Sequence, residues 1–156
     1  MKPEETVDYH VRYVWHAISR MYNQLGSEHG ITTSLGFVLL NIRTEGGSQA
    51  TKIAPLMGLE ARSLTRLLKS MEENGLIYRK RDESDRRSVN IFLTEEGLRR
   101  KRIAQETIRN FNMEIRKVIP QADLETFFEV MTKVNQFISE GKAVEKIAAD
   151  PVEVNK

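Results

Sequence analysis

Arg62, Ser63, Thr65, Arg66 and Lys69 crowd into one short stretch, and Arg81, Arg86 and Arg87 follow soon after. Arginine and lysine are permanent cationic donors, and serine and threonine add small hydroxyls. Such a set suits an anionic surface rich in acceptors. The guanidinium fork matches the O6 and N7 acceptors of guanine in the major groove, hydroxyls bond bases or phosphates, and a long cation can enter a narrow minor groove. Three acids, Asp82, Glu83 and Asp85, sit among the second group of arginines. As bare charges they oppose binding to a polyanion. A carboxylate that accepts hydrogen bonds from a neighbouring arginine can instead fix the shape of a loop, and Asp85 is the candidate for that brace. Taken singly, each group also fits an ordinary solvated helix face or charged turn.

These side chains need elements to present them. Val7, Val11, Val14, Ile18, Met21 and Leu25 recur at steps of three and four and predict a long first helix, closed by Gly26 and Gly30. Thr32, Thr33 and Ser34 offer caps for a second helix with Leu35, Val38, Leu39 and Ile42 inward. After Gly46-Gly47, Ser48 is expected to cap a short third helix carrying Ile53 and Leu56, which stops at Gly58. A fourth helix, from Glu60 to Asn74, buries Leu64, Leu67, Leu68 and Met71 and ends at Gly75. With Leu64 inward, a 100° step per residue turns Arg62, Arg66, Lys69 and Glu73 outward, flanked by Ser63, Thr65 and Ser70. The third and fourth helices, joined at Gly58-Leu59, have helix-turn-helix spacing.

Beyond Gly75 the period changes. Leu76 to Lys80 reads as a strand, and Val89, Ile91 and Leu93 alternate as a second, so a β-hairpin carries Arg81, Arg86 and Arg87 near its tip. Thr94 caps a fifth helix with Ala104, Ile108, Phe111, Ile115 and Val118 on one side, broken at Pro120. A sixth carries Leu124, Phe127, Phe128, Met131, Val134 and Ile138, and helix is expected to resume after Gly141 through Val144 and Ile147. The expected fold is mainly α with a small β-hairpin wing. Residues 32–97 form a winged helix-turn-helix region, 1–30 and 98–148 form a helical dimerisation region, and 149–156 are a disordered tail. Long apolar stripes at both chain ends need covering, and a second copy would complete what intramolecular packing begins.

The 156 residues contain no cysteine, which excludes disulfide scaffolds, zinc–thiolate sites and thiol redox sensing. A net charge of +2 says little, but its distribution says more: Leu76 to Arg102 holds nine basic and five acidic residues, whereas Gln121 to the end holds four and seven. No apolar run approaches the roughly 20 residues of a membrane span, and Asp8, His10 and Arg12 interrupt any signal-like core at the amino terminus. The expected location is the cytoplasm. No phosphate loop, metal-binding helix motif or Ser–His–Asp spacing stands out, so no catalytic residue, cofactor or metal is assigned. His10 and His16 fall on different helical faces with no carboxylate cluster beside them.

The run from Leu64 to Gly97, LTRLLKSMEENGLIYRKRDESDRRSVNIFLTEEG, resembles the core of the MarR (multiple-antibiotic-resistance regulator) family of bacterial transcription factors. The resemblance lies in Thr65-Arg66, Asn74-Gly75-Leu76-Ile77, Arg79, Asp85-Arg86-Arg87 and the closing Leu93 to Gly97, in that order. It implies a homodimeric winged helix that binds pseudo-palindromic double-stranded DNA, usually as a repressor, with the fourth helix in a major groove and the wing in an adjacent minor groove. It also implies that Asp85 braces the wing through Arg87 while Arg86 contacts DNA. Two positions depart from the family pattern: Pro55 lies inside the third helix, and Glu60 stands where a better N-cap is expected.

Relatives of this kind often bind small aromatic acids between the dimerisation helices and the winged helix. Opposite the valine stripe of the first helix lie Tyr9, Tyr13, His16 and Arg20, with His10 and Trp15 to the side. Aromatic rings with polar tips suit such an effector, and they suit packing against a partner subunit equally. A helical protein-interaction adaptor is the rival reading of the whole chain; it explains the long amphipathic helices but not the basic hairpin.

Overall fold

The computed structural model describes residues 2–81 and 88–149; Asp85, Arg86, Arg87 and residues 150–156 lie outside the described residues. The chain divides into two compact units, 1–110 and 111–156.

In the first unit a single 3-10 turn at Pro3–Glu5 leads into α1, Val7–Gly26. A second 3-10 turn, Ser27–His29, closes α1, and α2 spans Thr33–Asn41. Thr32 caps α2 as expected, its hydroxyl accepting from the Leu35 amide at 3.3 Å. Then come β1 (Ser48–Gln49), α3 (Ala50–Leu56), α4 (Ala61–Glu73), β2 (Ile77–Arg81), β3 (Val89–Leu93) and α5 (Glu95–Val118). The strands form an antiparallel sheet in the order β1-β3-β2. Cα partners run from Ile77 opposite Leu93 to Arg81 opposite Val89, and Ser48 lies opposite Ile91.

The hairpin therefore gains a third strand that the sequence reading lacked. Ser48 does not cap α3: it pairs across β3, and its Oγ accepts from the Arg43 amide at 2.9 Å. Gln49 takes the N-cap position, without a side-chain bond. Leu56 points outward, 69% exposed, and Ala54 joins Ile53 in the core instead. Pro55 lies one residue from the end of α3, so the helix has little length left to lose where the proline withholds its donor. β2 begins at Ile77, and Leu76 is fully buried ahead of it.

One core holds this unit together. Val38, Leu39 and Ile42 meet Ile53 and Ala54 of α3, Leu64, Leu68 and Met71 of α4, Leu76 just ahead of β2, and Ile77, Ile91 and Leu93 from the sheet. Each large aliphatic side chain buried here contributes about 1.5–3 kcal/mol. Because every element of the unit's centre feeds that core, α4 and the sheet share one rigid seat.

The junction of α4, sheet and α5 is built from short polar contacts. The Leu76 amide reaches back to the Met71 carbonyl at 2.9 Å, with Gly75 at φ 67, a left-handed helix stop that glycine occupies without strain. Thr94 Oγ1 donates to the Gly75 carbonyl at 2.6 Å and accepts from the Gly97 amide at 3.1 Å, capping α5. A Cβ at Gly97 would stand 2.0 Å from the Leu76 carbonyl oxygen, so the first turn of α5 can lie this close only without a side chain there.

The second unit holds the end of α5 followed by α6 (Gln121–Ser139) and α7 (Lys142–Ala149). Pro120 is the N-cap residue of α6. Leu124 and Ala143 are buried, and the Lys146 ammonium sits 5.8 Å from the centre of the Phe137 ring. Phe127, Phe128, Val130, Phe137, Ile138, Val144 and Ile147 are exposed.

Candidate nucleic-acid interface

The inward stripe of α4 leaves its other side in solvent. Arg62, Ser63, Thr65, Arg66, Lys69, Ser70 and Glu73 are all exposed, as the 100° rotation from Leu64 requires. Their local bonds differ. Thr65 spends its hydroxyl proton on the Ala61 carbonyl at 2.8 Å, leaving lone pairs and a methyl group for anything outside. Lys69 lies 3.8 Å from Glu73, one turn on, and both are well exposed, so water screens that pair. Among the described residues Arg62 and Arg66 have no hydrogen-bond or ion-pair partner. Two guanidinium forks four residues apart on one helix face, each with all its donors available, form an acceptor-seeking surface.

The sheet extends that surface. β2 carries Arg79, Lys80 and Arg81 in succession, and Arg81 is exposed at its end. Arg79 is committed elsewhere: its Nε is 3.0 Å from Glu72 Oε2, which ties β2 to the last turn of α4. Sequence reasoning saw Arg79 only as part of a family pattern. The signal for its partner was present, since the tight Asn74-Gly75 turn brings residue 79 back alongside residue 72. Past Arg81 the wing-tip assignments to Asp85, Arg86 and Arg87 fall outside the described residues.

Behind this surface, α5 is held by cations that sequence reasoning missed. Glu96 accepts from Arg99 at 2.7 and 2.8 Å and from Arg100 at 2.7 Å. Those hydrogen bonds hold its carboxyl at about 2, well below the ordinary 4.5. Arg100 also donates to the Gly30 carbonyl at 3.1 Å. Lys101 is buried and its ammonium donates to the Ile42 carbonyl; burial pulls its pKa down. Gly30 and Ile42 flank α2, so two neighbouring residues of α5 grip both ends of that helix.

Among the described residues the aromatic side of α1 is largely open to solvent. Tyr13, His16 and Arg20 are exposed and Tyr9 is half-buried, with the Tyr9 and Tyr13 rings stacked at 6.1 Å. One recess near α1 lies among Tyr22, Ile31, Phe37, Ile103, Ala104 and Ile108 and has a volume of about 30 Å³, room for water but not for an aromatic ring. Another, about 250 Å³, is a groove bordered by Trp15, Ser34, Phe37, Asn41, Leu56 and Leu59. Trp15 borders this groove, its ring centre 5.9 Å from that of Phe37.

A helix-turn-helix followed by a small antiparallel sheet, with the exposed face of the second helix set with free arginines, defines a winged helix-turn-helix protein. The MarR family model matches residues 31–89, from just before α2 to the start of β3. Over that segment the chain is similar to the MarR family. Among curated relatives it is 39% identical over 82 residues to the HTH-type transcriptional regulator TtmR of Methylorubrum extorquens, covering 53% of this chain and 42% of that protein. It is 38% identical over 80 residues to the organic hydroperoxide resistance transcriptional regulator of Bacillus subtilis, covering 51% and 54%. The chain thus spans about half the length of the curated relatives it matches. Among solved structures, MepR of S. aureus in complex with DNA superposes with a TM-score of 0.77 at 23% identity, over 84% of this chain and 97% of that one. CouR of Rhodococcus jostii bound to p-coumaroyl-CoA gives 0.75 at 23% identity, over 86% and 94%. At these identities the superpositions establish the shared fold.

Proposed function

We propose that this protein is a sequence-specific DNA-binding transcriptional regulator that acts as a homodimer on pseudo-palindromic operators, most simply as a repressor. The observation that carries the proposal is the pair of exposed arginines, Arg62 and Arg66, on the outer face of α4, without a partner among the described residues and seated on the same core as a strand rich in cations. α4 enters a major groove, with Arg62 and Arg66 aimed at base edges and Ser63, Thr65 and Lys69 at bases or phosphates. β2 leads Arg81 towards the backbone, Arg86 enters the minor groove, and Asp85 holds the wing through Arg87. The exposed apolar residues of α1, α6 and α7 supply surface for a second copy. A small effector that releases DNA completes the reading; the groove at Trp15, the one tryptophan of the chain, offers it a site whose occupation would quench intrinsic fluorescence.

A salt titration of binding to duplex DNA tests this. Affinity should fall linearly in log–log form with a slope of about −0.9 per phosphate neutralised, so that several contacts give a steep loss between low and physiological salt. A protein-interaction adaptor would show no retention of DNA even at low salt, and that result would end the proposal.

A further inference from the structure

Glu60 is an acid at the leading end of α4, the helix whose other exposed residues favour nucleic acid. Its backbone is the N-cap, extended at φ −67 and ψ 144, and its carbonyl accepts from the Ser63 and Leu64 amides at 3.0 and 3.2 Å. Its side chain does not cap: no hydrogen bond runs from the carboxylate to the first turn. Nor does it have an ion-pair partner among the described residues, although it is exposed and Arg62 is two positions away. Among the described residues neither a cap bond nor an ion pair explains this acid, which leaves only its favourable placement at the positive end of the helix dipole as a structural role.

We propose, resting on the DNA-binding function proposed above, that Glu60 is a specificity residue that reads cytosine. In a helix-turn-helix the N-terminal residues of the second helix are those that meet base edges. A carboxylate accepts only, and close to phosphates it raises the energy of any complex in which it finds no donor. In the major groove cytosine offers the N4 amine without an adjacent acceptor. Guanine presents two acceptors, thymine presents O4 and a methyl group, and adenine pairs its N6 amine with the N7 acceptor, which repels the second carboxylate oxygen. Glu60 thus rewards one base and penalises the other three. The neighbouring Arg62 and Arg66 favour guanine, so together they specify a mixed G and C half-site rather than a run of one base.

Selection of bound duplexes from a random pool, run in parallel for the full-length wild type, Glu60→Gln and Glu60→Ala, tests this. The wild type should select cytosine at one position in each half-site. Glu60→Gln should move that position towards adenine, because an amide bonds N6 and N7 together. Glu60→Ala should leave the position without preference and bind random DNA more tightly, the position-specific discrimination falling on the order of tenfold. Both variants should remain folded, since no side-chain cap is lost and only the modest dipole contribution of the carboxylate goes. Identical base profiles in all three proteins would overturn the assignment while leaving the DNA-binding function standing. A wild type that enriches no sequence would overturn both.

Discussion

Arg66 shows what a single residue contributes. It projects from the middle of the exposed face of α4, with no ion-pair partner among the described residues. Arg66→Ala should cost about 1–3 kcal/mol on the preferred operator and relax one base position in each half-site, measured by binding to single-base operator variants. A loss equal across all sequences would reassign Arg66 to a phosphate. Arg86→Ala should weaken binding by a similar amount, about 1–3 kcal/mol, with the melting temperature unchanged. Asp85→Ala should also weaken binding, although it removes a negative charge; tighter binding in a gel-shift assay would mean that Asp85 acts only by repulsion. Glu96 makes a pH prediction. Its carboxyl is depressed from 4.5 to about 2 by Arg99 and Arg100, so the folded state binds the proton less readily than the unfolded chain. The stabilisation is complete above about pH 5 and fades as pH falls through 4.5 towards 2. Acid unfolding curves of the wild type and Glu96→Gln should therefore converge over that window; a constant separation would deny the linkage.

Elements explain why some of this was legible and some was not. Helices α2 and α4 could be read from apolar spacing because Val38, Leu39, Leu64, Leu68 and Met71 lie in one shared core, where burial follows the helical period directly. β1 escaped because two residues are too few for any alternation to register, and its pairing with β3 joins positions some forty residues apart. Leu56 misled for another reason: an apolar residue at helical spacing from Ile53 stands in solvent at the last position of α3, at the edge of the core. The cation grips of Arg100 and Lys101 depend on backbone carbonyls, and carbonyls carry no sequence signature. Thr94 was legible as a helix cap; its second bond, to the Gly75 carbonyl at the end of α4, was not. Thr94→Ala removes both, and should destabilise the protein by at least about 1 kcal/mol in denaturant unfolding. A Thr94→Ser variant should recover most of that loss, since it restores the hydroxyl; failure of Ser to rescue would point to the methyl group instead.

At the scale of the whole molecule, much of the apolar stripe read on α1 remains in solvent in one chain: Val7, Val11, Val14 and Leu25 are about half exposed, between 43% and 55%, while Ile18 and Met21 are half-buried. Val118, Ile119, Phe127, Phe128 and Ile138 repeat the situation nearer the other end. Apolar residues aligned along several helices exceed the single scattered ones that a monomer's surface tolerates. Sedimentation should therefore give twice the chain mass at micromolar concentration, and a mass of one chain would remove the symmetric reader. A dimer that presents two copies of α4 must also leave a two-fold mark on its DNA. Hydroxyl-radical footprinting on a selected operator measures that mark directly. The expected result is two equivalent protected segments about one helical turn, 10–10.5 base pairs, apart centre to centre. One unpaired protected segment, or none, would contradict the account.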